Sequence, residues 1–181
     1  MSSPITELCD ALDTVFQQDP RGTAVPGLLD AYTSAHSDWE FCRHFIEGQY
    51  TRNLVRHTEN YEMMVLCWGR GQESPVHSHM GQRCWMSVLE GTVEEVHFRR
   101  QEEGLGPLIE GSSRNFNKGQ TAFINDDIAL HLMRGAGGEA AASLHVYSKP
   151  FAACLTYDCD TGVESAIPLT YHSVEGVVSG V

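Results

Sequence analysis

From Tyr50 onward the chain consists of short runs rich in Val, Leu, Tyr, Trp and Thr, separated by Gly, Asn, Asp and Pro. Runs of β-branched and aromatic residues between turn formers are typical of antiparallel β-sheets. About ten such runs at this spacing indicate a closed β-sandwich or jelly roll. The predicted strands cover residues 51–57, 61–68, 75–79, 84–89, 92–98, 120–123, 129–133 and 141–148, with weaker strands at 154–158 and 166–171.

Two connections between these strands have distinct compositions. Leu89-Glu90-Gly91-Thr92 is predicted to be a tight hairpin turn, because it breaks the pattern between two predicted strands and contains a glycine. Residues 102–114 hold three glycines and a proline, which predicts a solvent-exposed connection.

The first 50 residues have a different periodicity. Residues 4–18 place apolar side chains at helical spacing and carry Pro4 in the first turn, so they predict an amphipathic helix. Further helices are expected at about 27–34 and 37–47, the last with Ser37 as its cap. We therefore expect a mainly β protein in one domain, residues 1–181, with a helical segment at 4–47 packed outside a β-barrel at 50–173.

Composition and charge disfavour several classes of function. The 181 residues can bury a sizeable core, and the formal net charge of -12 disfavours binding to nucleic acids or anionic membranes. The N-terminal sequence lacks the basic flank and apolar run of a signal peptide, and the six cysteines include no CxxC pair. A soluble, cytoplasmic protein with free thiols is expected, and its small size and acidic charge fit a monomer.

The pair His77 and His79 lies in a predicted strand. Side chains at i and i+2 of a strand project from the same face, so both imidazoles would point into a small barrel and begin a metal site. The alternative is a pair of polar strand residues that face solvent, and a bare HxH does not separate the two interpretations.

The residues around this pair favour the metal site. Gly71 precedes the histidines and Gly91 follows them, in an arrangement that resembles the first cupin motif, with Cys84 in place of its glutamate. His131 follows Gly119 at the position that resembles the second cupin motif. Three histidines and no carboxylate are thus the candidate ligands, and the expected fold is a cupin jelly-roll barrel.

Three neutral imidazoles leave a bound divalent metal with its full double charge. An anionic substrate such as a thiolate can then supply the missing negative ligand, as suits non-haem Fe(II) oxygen chemistry. Zinc held by three histidines, as in hydration enzymes, is the rival interpretation.

Further motifs resemble one family specifically. They are Tyr50-Thr-Arg-Asn-Leu-Val55, Leu66-Cys-Trp-Gly69, the His-x-His-x4-Cys segment at 77–84, Ile124-Asn-Asp126, Leu130-His131, Ser143-Leu-His-Val-Tyr-Ser148 and Pro150-Phe151. In order and spacing this chain is similar to cysteine dioxygenases from about residue 28 to 173. One departure is Ser148-Lys149-Pro150, where that family usually has Ser-Pro-Pro.

The resemblance implies an iron-dependent oxidation of L-cysteine by O2 to cysteine sulfinate. It implies that His77, His79 and His131 bind Fe(II), and that Arg52 clamps the substrate carboxylate beside the phenol of Tyr50. It further implies that Tyr147 lies near the iron, that His145 is bonded to this tyrosine, and that Ser143 completes the hydrogen-bonded chain. Cys84 matches the cysteine that becomes thioether-linked to the tyrosine.

The same residues have plainer interpretations. Arg52 could form a salt bridge at the barrel rim, residues 143–147 a satisfied polar cluster, and Cys84 a buried inert thiol. Two other functions also stay open. One is oxidation of another small thiol such as 3-mercaptopropionate, whose dioxygenases carry glutamine where Arg52 stands, and the other is a catalytically silent, metal-binding cupin.

Overall fold

A computed structural model of the chain describes residues 2–101 and 106–179. The helices are α1 (Pro4–Gln18) and α2 (Val25–Ala35), followed by a 3-10 helix (Asp38–Cys42). The strands are β1 (Thr51–His57), β2 (Tyr61–Trp68), β3 (Val76–His77), β4 (Cys84–Glu90), β5 (Thr92–Arg99), β6 (Ile109–Asn117), β7 (Thr121–Ile124), β8 (Leu130–Ala136), β9 (Ala141–Ser148), β10 (Ala153–Tyr157), β11 (Glu164–Pro168), β12 (Ser173–Val174) and β13 (Val177–Val178). Within these described residues, no helix has the length and apolar character needed to cross a membrane.

Helix α1 confirms the predicted helix at 4–18. The Ser3 side chain accepts a hydrogen bond from the Thr6 backbone N–H at its start, and Pro4 occupies the first turn, where no backbone donor is needed. The apolar positions at three- and four-residue spacing are buried, as the periodicity indicated: Ile5, Leu8, Leu12 and Phe16.

The predicted helix at 37–47 is wrong, because only Asp38–Cys42 is helical and it has 3-10 geometry. A three-residue repeat is sufficient to bury both Trp39 and Cys42 on one side. Beyond it the Ile46 carbonyl accepts a hydrogen bond from the Gln72 side chain at 2.8 Å. Long-range contacts of this kind replace the helical hydrogen bonds that local spacing favoured.

The strands form two sheets. One has the order β13-β12-β1-β2-β9-β4-β7, and the other has the order β11-β10-β3-β8-β5-β6. Neighbouring strands pair antiparallel, except that β12 runs parallel to β1. This confirms the predicted β-sandwich with helices outside it.

The predicted solvent-exposed connection at 102–114 is wrong for residues 109–114, which are exposed but belong to a strand. Ile109–Asn117 forms strand β6, which pairs antiparallel with β5 along its length. Residues 102–105 of that prediction lie outside the described residues. Apart from Phe116, the β6 side chains are exposed, so this edge strand lacks the apolar alternation that marks a strand in sequence.

Strands β2 and β9 are buried along their entire length because both faces of their sheet are covered. One face packs under α1 and α2, where Val65, Leu144 and Val146 join the helix side chains. The opposite face closes the barrel interior, where Met64 and Leu66 lie. Alternation along β9 therefore sends residues 143, 145 and 147 inward.

Candidate active site

His77, His79 and His131 converge inside the barrel. His77 in β3 and His131 in β8 are direct partners across the antiparallel pair, which brings their rings to 4.6 Å between centroids. The three side chains offer nitrogens that all lie within 4.8 Å of one another. The structure thus brings together all three histidines that the sequence nominated.

His79 reaches this cluster from a loop. Strand β3 ends at His77, so the predicted strand at 75–79 is too long, and same-face alternation does not orient the second histidine. Instead Asp126, in the loop between β7 and β8, accepts the His79 backbone N–H at 2.6 Å and the Gly81 backbone N–H at 2.7 Å. A carboxylate from another loop therefore positions this histidine.

Each imidazole has a different support. The Nδ1–H of His77 donates to the Pro75 carbonyl at 2.9 Å, and that of His131 donates to the Glu95 carboxylate at 2.7 Å. Both rings therefore keep Nε2 free as a ligand atom. His79 is fully buried, and neither ring nitrogen has a hydrogen-bond partner.

A buried imidazole with two unsatisfied nitrogens is unfavourable unless another group binds it. Burial, foremost, lowers the pKa of His77, His79 and His131, and the charge of neighbouring histidines lowers it further for His79 and His131. The neutral imidazole is the form that ligates metals. The cluster therefore fits a divalent metal held by three nitrogens.

A hydrogen-bonded chain runs along the inner face of β9. The Trp68 indole N–H donates to the Ser143 hydroxyl at 2.9 Å, and Ser143 Oγ lies 2.8 Å from His145 Nε2. His145 Nδ1 in turn lies 3.3 Å from the Tyr147 hydroxyl. The Tyr147 and His79 rings are 6.4 Å apart, so this chain ends beside the three histidines.

Cys84 is the cross-strand partner of Tyr147. The two residues face each other in the β4/β9 register, and the Cys84 Sγ lies 3.7 Å from His145 Nδ1. Burial raises the pKa of the Cys84 thiol, which is therefore protonated at neutral pH. The geometry juxtaposes the thiol and the phenol.

Arg52 projects from β1 toward this interior, and its side chain is 11% exposed. Its Nε and Nη2 have no hydrogen-bond partner, so the guanidinium retains donors for a ligand. Tyr50, on the same face of the chain, stacks on Trp68 with ring centroids 4.7 Å apart. Both residues line a cavity of about 360 Å³, whose other wall is formed by residues 167–172.

The sequence prediction did not include Glu62 and Tyr171. Glu62 on β2 is fully buried, and its carboxylate lies 3.9 Å from the Arg52 guanidinium. The Tyr171 hydroxyl donates to the other oxygen of this carboxylate. An acid within an otherwise apolar strand was the available signal for Glu62, whereas Tyr171 arrives through the fold of the C-terminal segment.

The sequence prediction also missed Glu95, the partner of His131. Glu95 lies two residues after the buried Val93 on β5, so the period-two pattern of that strand assigns it to the inner face. An acidic residue at an inward position is unusual unless it has a partner, and that pattern could have identified it.

Comparison with known proteins finds relatives that match most of the chain. The family model described as "Cysteine dioxygenase type I" matches residues 2–160. Cysteine dioxygenase type 1 of Rattus norvegicus is 36% identical over 155 residues, which cover 84% of this chain and 78% of that protein. The protein of the same name from Danio rerio is 34% identical over 179 residues, which cover 95% of this chain and 88% of that protein.

A solved structure shares the fold. It is an uncharacterized conserved protein with a double-stranded β-helix domain from Klebsiella pneumoniae, with a TM-score of 0.53 and 16% identity over 75% of this chain and 91% of that one. At this identity the likeness concerns the fold alone. The sequence matches extend over most of the chain, and they show that it belongs to the cysteine dioxygenase type I family.

Proposed function

We propose that this enzyme oxidises L-cysteine with O2 to cysteine sulfinate at an Fe(II) ion held by His77, His79 and His131. Membership of the cysteine dioxygenase type I family supplies the reaction. The observation that carries the metal assignment is the convergence of three ligand nitrogens within 4.8 Å, together with a buried His79 whose ring nitrogens make no hydrogen bond. Iron is the choice that this oxygen chemistry favours for such a site.

When bound, the iron supplies the redox chemistry and open coordination positions for a thiolate and for dioxygen. Three neutral imidazoles contribute no charge, so an anionic thiolate complements the site well. The protein's own task is to bind, orient and enclose the substrate.

Arg52 binds the carboxylate of cysteine in this proposal. Its free Nε and Nη2 donors are buried, and a planar guanidinium pairs with both oxygens of a carboxylate. Tyr50 forms the adjacent wall, with its ring held against Trp68. The interaction fixes the end of the substrate that is remote from the thiol.

Tyr147 acts as a hydrogen-bond donor beside the substrate. Burial raises the pKa of its phenol well above the ordinary value, so the hydroxyl keeps its proton at neutral pH. His145, supported by Ser143, holds the phenol oxygen in place from the other side. A donor that is already oriented needs no reorganisation during the reaction.

Cys84 and Tyr147 form a thioether in this proposal. One S–H bond and one aromatic C–H bond break, one S–C bond forms, and two protons and two electrons pass to dioxygen as the oxidant, which becomes hydrogen peroxide. Their direct pairing between β4 and β9 supports this step. The link would fix the phenol ring and reduce its side-chain freedom.

We also propose that the enzyme works in the cytoplasm as a monomer. All six cysteines are free, as expected in a reducing compartment. The net charge of -12 favours separate molecules over association.

Metal analysis together with oxygen uptake tests the function. Purified protein should contain iron and should consume oxygen when cysteine is added, with cysteine sulfinate as the product in mass spectrometry. Parallel assays with cysteamine and 3-mercaptopropionate identify the preferred thiol. Zinc as the bound metal, or iron without oxygen uptake, would contradict the proposal and favour a hydration enzyme or a silent cupin.

A further inference from the structure

Glu95 lies between two histidines inside the barrel. One carboxylate oxygen accepts the Nδ1–H of His131 at 2.7 Å, and the other lies 3.3 Å from Nε2 of His97. Glu95 itself is 6% exposed, whereas the His97 side chain is 28% exposed. The three side chains thus connect a buried ligand to the edge of the molecule.

The β5/β8 register explains this arrangement. His97 is the direct partner of His131 across the two strands, and Glu95 is two residues earlier on the same face. All three side chains therefore share the inner face of this sheet. His97 and Glu95 also line a cavity of about 510 Å³, to which β6 contributes Arg114 and β7 contributes Phe123.

The three candidate ligands differ in the charge behind them. His77 donates to a neutral backbone carbonyl, and Nδ1 of His79 lies 3.8 Å from the Asp126 carboxylate without a hydrogen bond, but His131 donates directly to a carboxylate. A carboxylate behind a ligating histidine fixes its tautomer and increases its basicity. Glu95 is therefore a carboxylate hydrogen-bonded directly to a candidate ligand, one layer behind the proposed metal.

We propose that Glu95 and His97 are positioning residues that set the metal affinity of this site through His131. This inference rests on the proposed metal site and concerns residues with no assigned role. Glu95 holds the His131 ring with Nε2 toward the metal, and His97 holds the carboxylate from the opposite side. His97 thus influences the metal through its contact with Glu95.

The experiment measures Fe(II) affinity directly, by anaerobic competition with a chromophoric chelator. Glu95→Gln retains an acceptor but removes the charge, and it should weaken Fe(II) binding by about 10- to 100-fold, the usual effect of losing such a partner. His97→Gln should weaken binding by a smaller factor, roughly threefold to tenfold. Thermal unfolding of each metal-free variant establishes that it is folded.

Glu94→Gln is the matched control. Glu94 is the adjacent acid on β5, but it faces outward and pairs with Arg134 at 2.8 Å. The control should bind Fe(II) within about twofold of the wild type, because it leaves His131 and its partner unchanged. A loss of affinity equal to that of Glu95→Gln would reduce the effect to general surface charge and overturn the inference.

The outcomes separate the two proposals. If the wild type binds Fe(II) tightly while the folded Glu95→Gln and His97→Gln variants bind it equally well, the inference fails and the metal site stands. If Glu95→Gln does not fold, His97→Gln alone tests the inference, which fails if that variant binds Fe(II) as tightly as the wild type. If the wild type has no Fe(II) affinity, or His131→Ala retains it, the proposed metal site fails and the inference fails with it.

Discussion

The buried ionic groups of the barrel interior are paired unequally. Glu95 has two histidine partners, whereas Arg52 has a carboxylate at 3.9 Å, a distance too long for a hydrogen bond. Glu62 therefore compensates the Arg52 charge without using its donors. At the scale of single residues, this leaves the guanidinium available to a substrate carboxylate.

Replacing Arg52 tests that role. Arg52→Gln removes a charge-assisted interaction of about 1.5–3 kcal/mol, so the affinity for cysteine should fall by roughly 10- to 100-fold. Binding of 3-mercaptopropionate should become favoured relative to cysteine. Anaerobic calorimetry measures the affinities for both thiols and for cysteamine, which has no carboxylate. An equal loss of affinity for cysteine and for cysteamine would locate the carboxylate site elsewhere.

A second prediction concerns the paired Cys84 and Tyr147. After incubation with cysteine and oxygen, intact-protein mass spectrometry should detect a form that is lighter by two hydrogens, and tryptic digestion should join the two peptides. Cys84→Ser should keep its iron and a reduced rate, because His77, His79 and His131 are unchanged. Tyr147→Phe should lose more activity, since the phenol donor is removed.

Two results would contradict this account of the pair. One is a Cys84→Ser enzyme with full iron and no activity. The other is a wild-type protein that never yields the linked peptide.

At the scale of elements, the loops between strands determine the metal cluster as much as the strands do. Strand β3 places His77 opposite His131 on β8. His79 instead lies in the loop after β3, and Asp126 in the connection between β7 and β8 holds it there by a hydrogen bond. Met80, in that loop, has φ of 50°, a backbone conformation that side chains seldom adopt. Hydrogen bonds from outside the loop are therefore needed to keep its shape.

Asp126→Ala should loosen this loop. The variant loses a carboxylate that accepts two backbone N–H groups, which should lower the free energy of unfolding by about 2 kcal/mol. Fe(II) affinity should fall as well, because His79 is no longer positioned. Urea unfolding and chelator competition measure the two effects.

Asp127→Ala is the control for that measurement. Asp127 is exposed in the same connection and accepts a hydrogen bond from the Asn125 side chain at 3.1 Å. Its replacement should change both quantities little. Equal losses in the two variants would assign the effect to the connection as a whole.

At the scale of the whole molecule, the helices cover the outer face of the first sheet and enclose several thiols. Burial raises the pKa of Cys9 on α1 and of Cys67 on β2 from 9.0 to about 11 in each case. In the unfolded chain both thiols ionise near their ordinary pKa. Between these values the unfolded chain binds fewer protons than the native protein, so stability falls as pH rises.

The stability of the protein against thermal unfolding should therefore decline between pH 9 and pH 11. We expect the unfolding temperature of the reduced, metal-free protein to drop by several degrees over this range. A Cys9→Ser/Cys67→Ser double variant should decline less steeply, because a serine hydroxyl does not ionise there. Parallel curves for the two proteins would assign the alkaline loss to other groups, such as the buried phenols.

Much of the fold and of the metal cluster could be predicted from the sequence. Helix α1, the run of short strands and the histidines at 77, 79 and 131 are visible because apolar periodicity and ligand spacing are local properties of a chain. The resemblance to a known family added Arg52 and Tyr147, together with the residues beside them, to the predicted site. These features need only a few consecutive residues to be recognised.

Only the tertiary structure decided the remainder. Strand β6 carries little apolar pattern and forms because β5 offers it a partner, while residues 43–47 leave the helix because distant side chains take their hydrogen bonds. Glu95 and His131 are in contact although 36 positions separate them in the sequence, and Glu62 and Tyr171 are in contact across 109 positions. Strand register creates such pairs, and register depends on the packing of the whole barrel rather than on neighbouring residues.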